Sequence, residues 1–170
     1  NAATFTAGSE NATAGNVVSV PITVAPSAGE TSTDVNAYAI AISYDSSVLT
    51  PVVKGTDEVG DNTYATVGDS FNSGVLTADL KDNETGNDEV LIGWAAASPV
   101  NVTEASTLAT VDFTVNANAT GSTDVKVAVA QVANSDSALA DKSTIEAASG
   151  TVTVDTATKV VYGDVDANGA

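Results

Sequence analysis

Apolar and polar residues alternate with a period of two along most of this chain. The clearest example is the stretch 35–44, in which one phase holds large residues and the other holds small ones. The large phase comprises Tyr38, Ile40, Ile42 and Tyr44, and the small phase comprises Ala37, Ala39, Ala41 and Ser43. This alternation is typical of a β-strand that has one buried face and one exposed face.

Similar segments recur at short intervals, and stretches rich in Asn, Asp and Gly separate them. The predicted strands cover residues 3–7, 17–24, 35–44, 50–54, 64–67, 75–80, 90–97, 108–115, 125–133 and 150–154. Strands do not alternate with helices, so a parallel α/β fold is disfavoured. The pattern predicts an all-β fold, a two-sheet jelly-roll sandwich of about nine strands, with one short helix near residues 134–147.

The aromatic residues follow the apolar phase of these strands. Tyr38, Tyr44, Trp94 and Phe113 have aliphatic neighbours in the same phase, and we expect them in the core. Tyr64 and Phe71 are the only aromatic residues left as candidates for an exposed sugar-binding surface. A carbohydrate-binding module of the same fold class therefore remains an alternative, as does a structural adhesin domain of the cell surface.

The amino-acid composition excludes several kinds of catalytic and structural site. The chain of 170 residues has no Cys, no His and no Arg, and its only cations are five Lys residues. A Ser–His–Asp triad, a Cys–His pair and a disulfide framework are therefore excluded. A glycosidase would need two carboxylates such as Glu89 and Glu104, but their sequence context indicates neither a cleft nor a raised pKa. We expect a protein that is not an enzyme.

The charge of the chain is strongly negative, with a formal net value of −17. This field disfavours nucleic acid and anionic membranes as partners, and no apolar run approaches the ~18 residues that span a bilayer. A negative field instead favours the approach of a partner with a basic contact surface. We expect a secreted module that is monomeric.

Three segments in order resemble the cohesin domains of bacterial cellulosomes. Residues 13–24 contain a small-residue turn and a Val-rich strand with Val-Pro-Ile, and residues 39–49 end in Tyr-Asp-Ser-Ser-Val-Leu. Cohesins commonly have Pro where this chain has Ser46. Residues 107–115 are similar to the family's penultimate core strands, and the Gly-Thr-Val-Thr-Val stretch at 150–154 is similar to its closing strand. The resemblance implies a cohesin-like module over residues 1–157.

The end of the chain resembles a different family, the dockerins, which are the calcium-dependent partners of cohesins. Asp164, Asp166 and Asn168, followed by Gly169, match the first positions of an EF-hand-like calcium loop. The sequence stops before the bidentate acid at position 12 of such a loop, so we expect the site to be unoccupied. Residues 158–170 are predicted to be a linker and the truncated start of a dockerin.

The cohesin resemblance implies a docking face on the sheet formed by the family's strands 8, 3, 6 and 5. Carried over by strand phase, the partner-binding residues would be Ala37, Ala39, Ala41, Thr77, Asp79, Leu91, Gly93, Ala95, Ala97, Val132, Asn134 and Leu139. Leu91, Val132 and Leu139 are the expected apolar anchors among them. Some cohesins carry Asn and Asp on the third of these strands, and the alanines of this chain imply a more apolar contact.

The function implied by the resemblance is that of a scaffoldin module in an extracellular bacterial cellulosome. The module would bind a dockerin of a plant-polysaccharide-degrading enzyme or of another scaffoldin. It would need no cofactor itself, and calcium is expected on the dockerin partner.

Overall fold

The alternating segments form two main β-sheets that pack together through their apolar faces. The computed structural model describes residues 3–81, 87–133 and 145–155. Its strands are β1 Ala3–Ala7, β2 Glu10–Thr13, β3 Val17–Pro26, β4 Thr33–Asp45, β5 Leu49–Pro51, β6 Gly55–Thr56, β7 Asn62–Thr63, β8 Thr66–Val67, β9 Val75–Lys81, β10 Asn87–Val102, β11 Ser106–Val115, β12 Gly121–Ala133, β13 Ile145–Ala148 and β14 Gly150–Asp155. A short 3-10 helix lies at Asp69–Phe71.

The first sheet has the strand order β13-β1-β3-β11-β5, with β8 also paired to β11. The second sheet has the order β2-β14-β12-β4-β10-β9, and β6 and β7 form a separate hairpin. Neighbouring strands are antiparallel except for the pairs β1–β13 and β14–β2. The predicted all-β, two-sheet jelly-roll fold is confirmed, and each predicted strand overlaps an observed one.

The strands that were not predicted are the short ones. β2, β6, β7 and β13 contain between two and four residues each, too few to show a period. The prediction of a helix near residues 134–147 is wrong for its last residues, because Ile145 begins strand β13 and pairs with Ala3 of β1. Strand pairing there overrides the local helix propensity. The remainder of that prediction, residues 134–144, lies outside the described residues.

The core lies between the two sheets and is filled by the inward phase of every long strand. On β4 this phase holds Tyr38, Ile40, Ile42 and Tyr44, none of which is more than 3% exposed. The first sheet contributes fully buried side chains that include Phe5, Ile22, Val111 and Phe113. The predicted core positions of Tyr38, Tyr44, Trp94 and Phe113 are therefore confirmed. No helix among the described residues has the length and apolar character needed to cross a membrane.

Trp94 organises the aromatic part of this core. Its ring stacks on Tyr38 with centroids 5.7 Å apart and meets the edge of Phe71 at 5.1 Å. Its Nε1 donates a 2.8 Å hydrogen bond to the backbone oxygen of Phe71. Gly74 lies against the indole, since a Cβ at that position would come within 2.5 Å of Trp94 Cε2. Trp94 thus fixes the connection between β8 and β9 against the second sheet.

The buried Tyr38 hydroxyl makes the fold less stable at alkaline pH. It is buried without a hydrogen-bond partner among the described residues, and burial raises its pKa above the usual value. The unfolded chain therefore releases this proton first, at about pH 10. Stability is fully present below that pH and is lost as the pH rises above it.

We predict that Tyr38→Phe keeps or increases the free energy of unfolding at pH 7, because the variant buries no unpaired hydroxyl. Above about pH 10, the variant should lose less stability than the wild-type protein. Urea unfolding between pH 7 and pH 11 measures both effects. Equal losses of stability in the two proteins at high pH would contradict the prediction.

Candidate partner-binding face

The outward side chains of four neighbouring strands form a regular array on the second sheet. β12, β4, β10 and β9 lie side by side in that order, and their register places outward residues in rows across the strands. We call this array the four-strand face. Its rows are Lys126–Ser43–Glu89–Lys81, Ala128–Ala41–Leu91–Asp79, Gln131–Ala39–Gly93–Thr77 and Ala133–Ala37–Ala95–Val75.

The dimensions of the four-strand face suit one α-helix. Three inter-strand spacings give it a width of about 14 Å, and the six residue steps from Ala37 to Ser43 give it a length of about 20 Å. An α-helix with its side chains is about 10–12 Å across. A helix that lies along β4 and β10 would therefore contact the central strands and be flanked by β12 and β9.

Most residues predicted for partner binding lie in this array. The rows contain Ala37, Ala39, Ala41, Thr77, Asp79, Leu91, Gly93 and Ala95. Ala97 is exposed on β10 just beyond the last paired row, where the register with β4 is irregular. Asn134 and Leu139 lie outside the described residues, as do Asp164, Asp166 and Asn168 of the predicted calcium loop.

The prediction of Val132 as an exposed anchor is wrong. The register between β12 and β4 shifts between Val129 and Gln131, so Ala130 forms a β-bulge. Because of the bulge, the inward phase of Val125 and Val127 continues at Val132, which is only 6% exposed. The outward position falls to Gln131 instead, which sequence reasoning missed.

The centre of the four-strand face is a shallow hollow of about 280 Å³. Ala39, Ala41 and Gly93 leave space there, because their side chains are small or absent. Thr77 Oγ1 lies over Gly93, at 3.2 Å from the position that a Cβ would occupy. Leu91, which is 38% exposed, and Asp79 also line the hollow. A partner backbone can approach closely at this point, with hydrogen-bonding groups on both sides.

A second hollow of about 390 Å³ lies at the end of the face where β4 finishes. It is lined by Ser43, Tyr44, Asp45, Glu89, Thr123, Asp124 and Lys126. We call it the charged hollow. The Ser43 hydroxyl donates to Glu89 Oε2 at 3.4 Å, and the Thr151 hydroxyl donates to Asp124 Oδ1 at 3.3 Å.

Asp45 stays ionised at this edge of the sheet. The Ser47 hydroxyl donates to Asp45 Oδ1 at 2.7 Å and the Ser47 amide donates to the same oxygen at 2.9 Å. These two hydrogen bonds lower the pKa of the Asp45 carboxyl below its usual value. No group of three or more acidic side chains in the described part of the chain is arranged to hold a metal ion.

The outward face of the first sheet is different. Lys54 Nζ lies 2.7 Å from Asp112 Oδ2 there. Burial opposes ionisation of Asp112, but hydrogen bonds from Lys54 and Ser19, together with the charge of Lys54, lower the pKa of that carboxyl. None of the aromatic side chains in the described residues is exposed on either sheet, since Phe71 is fully buried and Tyr64 packs against the core. The rings that a sugar-binding surface needs for stacking are therefore not present on these faces.

The sequence and the fold match one family. A family profile described as the cohesin domain matches residues 3–154. No curated protein sequence matches the chain.

Solved structures of cohesins share the fold of this chain. The seventh ScaB type I cohesin of Pseudobacteroides cellulosolvens is 20% identical, with a TM-score of 0.62, and the match covers 95% of this chain and 97% of that one. CaCohA2 of Clostridium acetobutylicum is 22% identical, with a TM-score of 0.59 and 91% of each chain covered. The Coh-OlpA–Doc918 complex of Clostridium thermocellum, a type I cohesin–dockerin complex, matches at 15% identity and a TM-score of 0.65, covering 91% of this chain and 100% of that one.

The bulge in β12 predicts a large loss of stability for one of two adjacent substitutions and almost none for the other. Val132→Ala should lower the free energy of unfolding by about 2 kcal/mol, because it removes buried methyl groups and leaves a cavity. Gln131→Ala should change it by less than about 0.5 kcal/mol, because the side chain is exposed. Urea unfolding of both variants measures the difference. Equal losses would show that β12 lacks the bulge.

Proposed function

Because this chain belongs to the cohesin family, we propose that it is a non-catalytic module that binds a calcium-loaded dockerin on its four-strand face. The observation that carries the proposal is the family match over residues 3–154 on a chain whose second sheet presents an array of small side chains. A solved relative of the same fold is a cohesin in complex with a dockerin, which supports the choice of partner.

Binding on this face would combine close approach with a few larger contacts. The floor of Ala39, Ala41 and Gly93 buries little area itself, so most of the apolar contact must come from the partner's side chains. Leu91 and Val75 are the large exposed apolar residues of the array. Gln131 and Thr77 would add hydrogen bonds beside the floor, where they help to select the partner.

We further propose a wider setting for the module. The dockerin would belong to a plant-polysaccharide-degrading enzyme or to another scaffoldin of an extracellular bacterial cellulosome. Calcium would be bound by the partner, and the module would act as a monomer without a cofactor. Residues 158–170 would be a linker and the start of a dockerin-like segment, in which Asp164, Asp166 and Asn168 match the first positions of a calcium loop.

The proposal predicts tight 1:1 binding to some members of a dockerin panel, measured by calorimetry with calcium present. A chelator should abolish binding, because the partner's helices depend on the bound ion. If no dockerin binds and insoluble cellulose retains the module in a pull-down, the module is a carbohydrate-binding one instead.

Charge insertion tests the assignment of the face. Ala39→Arg and Ala95→Arg each place a bulky cation in a close contact, and either should weaken dockerin binding by at least about a hundredfold. Val17→Arg is the matched control, since Val17 is 58% exposed on the first sheet. The control should keep wild-type affinity, and circular dichroism checks that all three variants fold. Loss of binding in the control alone would place the docking face on the first sheet.

A further inference from the structure

The negative charge of this chain lies on its surface. The chain has 22 acidic residues and five Lys, and its formal net charge at pH 7 is −17. Thr33 is the one buried polar or charged residue in the part of the chain that the structure describes, so every Asp and Glu there keeps contact with water. Contact with water favours the charged form of a carboxyl group. The folded module therefore carries its negative charge undiminished by burial.

Direct ion pairs neutralise little of this charge. Lys54, Lys81 and Lys126 are the cations within the described ranges. Of these three, only Lys54 forms an ion pair with a described residue, Asp112, at 2.7 Å. Because acidic residues greatly outnumber the lysines, the net interaction between the charges of the folded surface is repulsive.

Folding brings together carboxylates that are distant in the sequence. Asp45, Glu89 and Asp124 come from β4, β10 and β12, and all three line the charged hollow with Lys126 as the single cation. In the unfolded chain, long stretches of sequence separate these three residues. Unfolding therefore relieves repulsion that the folded sheet imposes, and the repulsion lowers the free energy of unfolding.

The apolar core has a limited capacity to offset this repulsion. Val and Ala make up most of its buried side chains, and they bury less apolar area than Leu, Ile or Phe. No disulfide adds to the stability, since the chain has no Cys. Net stability is a small difference between large opposing terms, so an unfavourable electrostatic term takes a large share of it.

We propose that the fold of this module depends on ionic strength, so that near-molar monovalent salt stabilises it and dilute buffer weakens it. The cations act as a diffuse atmosphere, because no group of three or more acidic side chains among the described residues is arranged to hold a metal ion. Raising the salt from about 0.1 M to about 1 M shortens the screening length from about 10 Å to about 3 Å, which is less than the spacing of about 5 Å between neighbouring strands. The inference concerns folding and is independent of the proposed function.

Thermal unfolding followed by circular dichroism tests the dependence on salt. The Tm of the wild-type protein should rise by about 5 °C or more between about 0.1 M and about 1 M KCl, because screening removes repulsion from the folded state. Absence of a rise would overturn the inference.

A matched series of surface variants isolates the contribution of charge. Glu30, Glu58, Glu104 and Glu146 are exposed and lie outside the four-strand face. Their side chains form no hydrogen bond or ion pair with any part of the described chain, so substitution changes charge without removing a contact. One variant changes all four to Gln, which removes one negative charge at each position, and another changes all four to Lys, which removes two.

The rise in Tm with KCl should be largest in the wild-type protein, smaller in the Gln variant and smallest in the Lys variant. In dilute buffer, both variants should have a higher Tm than the wild type. Equal rises in all three proteins would show that salt acts by general exclusion from the protein surface, and this would overturn the inference. A rise of the same size in millimolar CaCl2 would indicate a bound divalent ion and would overturn it as well.

Discussion

The burial of large side chains on the inward phase of β4 and β10 is the constraint on which the rest of the second sheet depends. Tyr38 and Trp94 are direct register partners, and their rings stack in the core. A slip of one residue would expose both rings and turn the alanines of β4 inward. The core therefore determines the register of the sheet, and the register determines which side chains form the four-strand face.

The same constraint explains why the face has an uneven surface. In β12, the extra residue Ala130 shifts the alternation of inward and outward side chains. As a result Val132 is buried, and Gln131 faces outward beside the central hollow. Within the four-strand face, the outward residues of β4 run from Ala37, Ala39 and Ala41 to Ser43, and Asp45 follows, so polarity increases towards the charged hollow. The central hollow and the charged hollow thus belong to one surface, with its charges concentrated at one end.

Alternation of residues was sufficient to predict the long strands, the fold class and the buried aromatic residues. Strands of two to four residues, such as β6 and β7, were missed because their pairing depends on partners that are distant in the sequence. The neighbours in the second sheet were expected from a family resemblance and not from periodicity, since β9 and β4 are separated by β10 in space but precede it in the chain. Val132 was wrongly predicted to be exposed because the period of two was continued along the whole of β12. The bulge makes the spacing between the inward residues Val129 and Val132 three instead of two.

The inward and outward residues of β4 have separate roles, and this separation has an evolutionary consequence. Ala37, Ala39 and Ala41 take no part in the buried core, whereas their inward neighbours Tyr38, Ile40 and Ile42 form it. Outward substitutions therefore change the shape and polarity of the four-strand face at little cost in folding stability. A sheet built on this plan can therefore diversify its exposed surface by mutation at outward positions while the buried core stays intact.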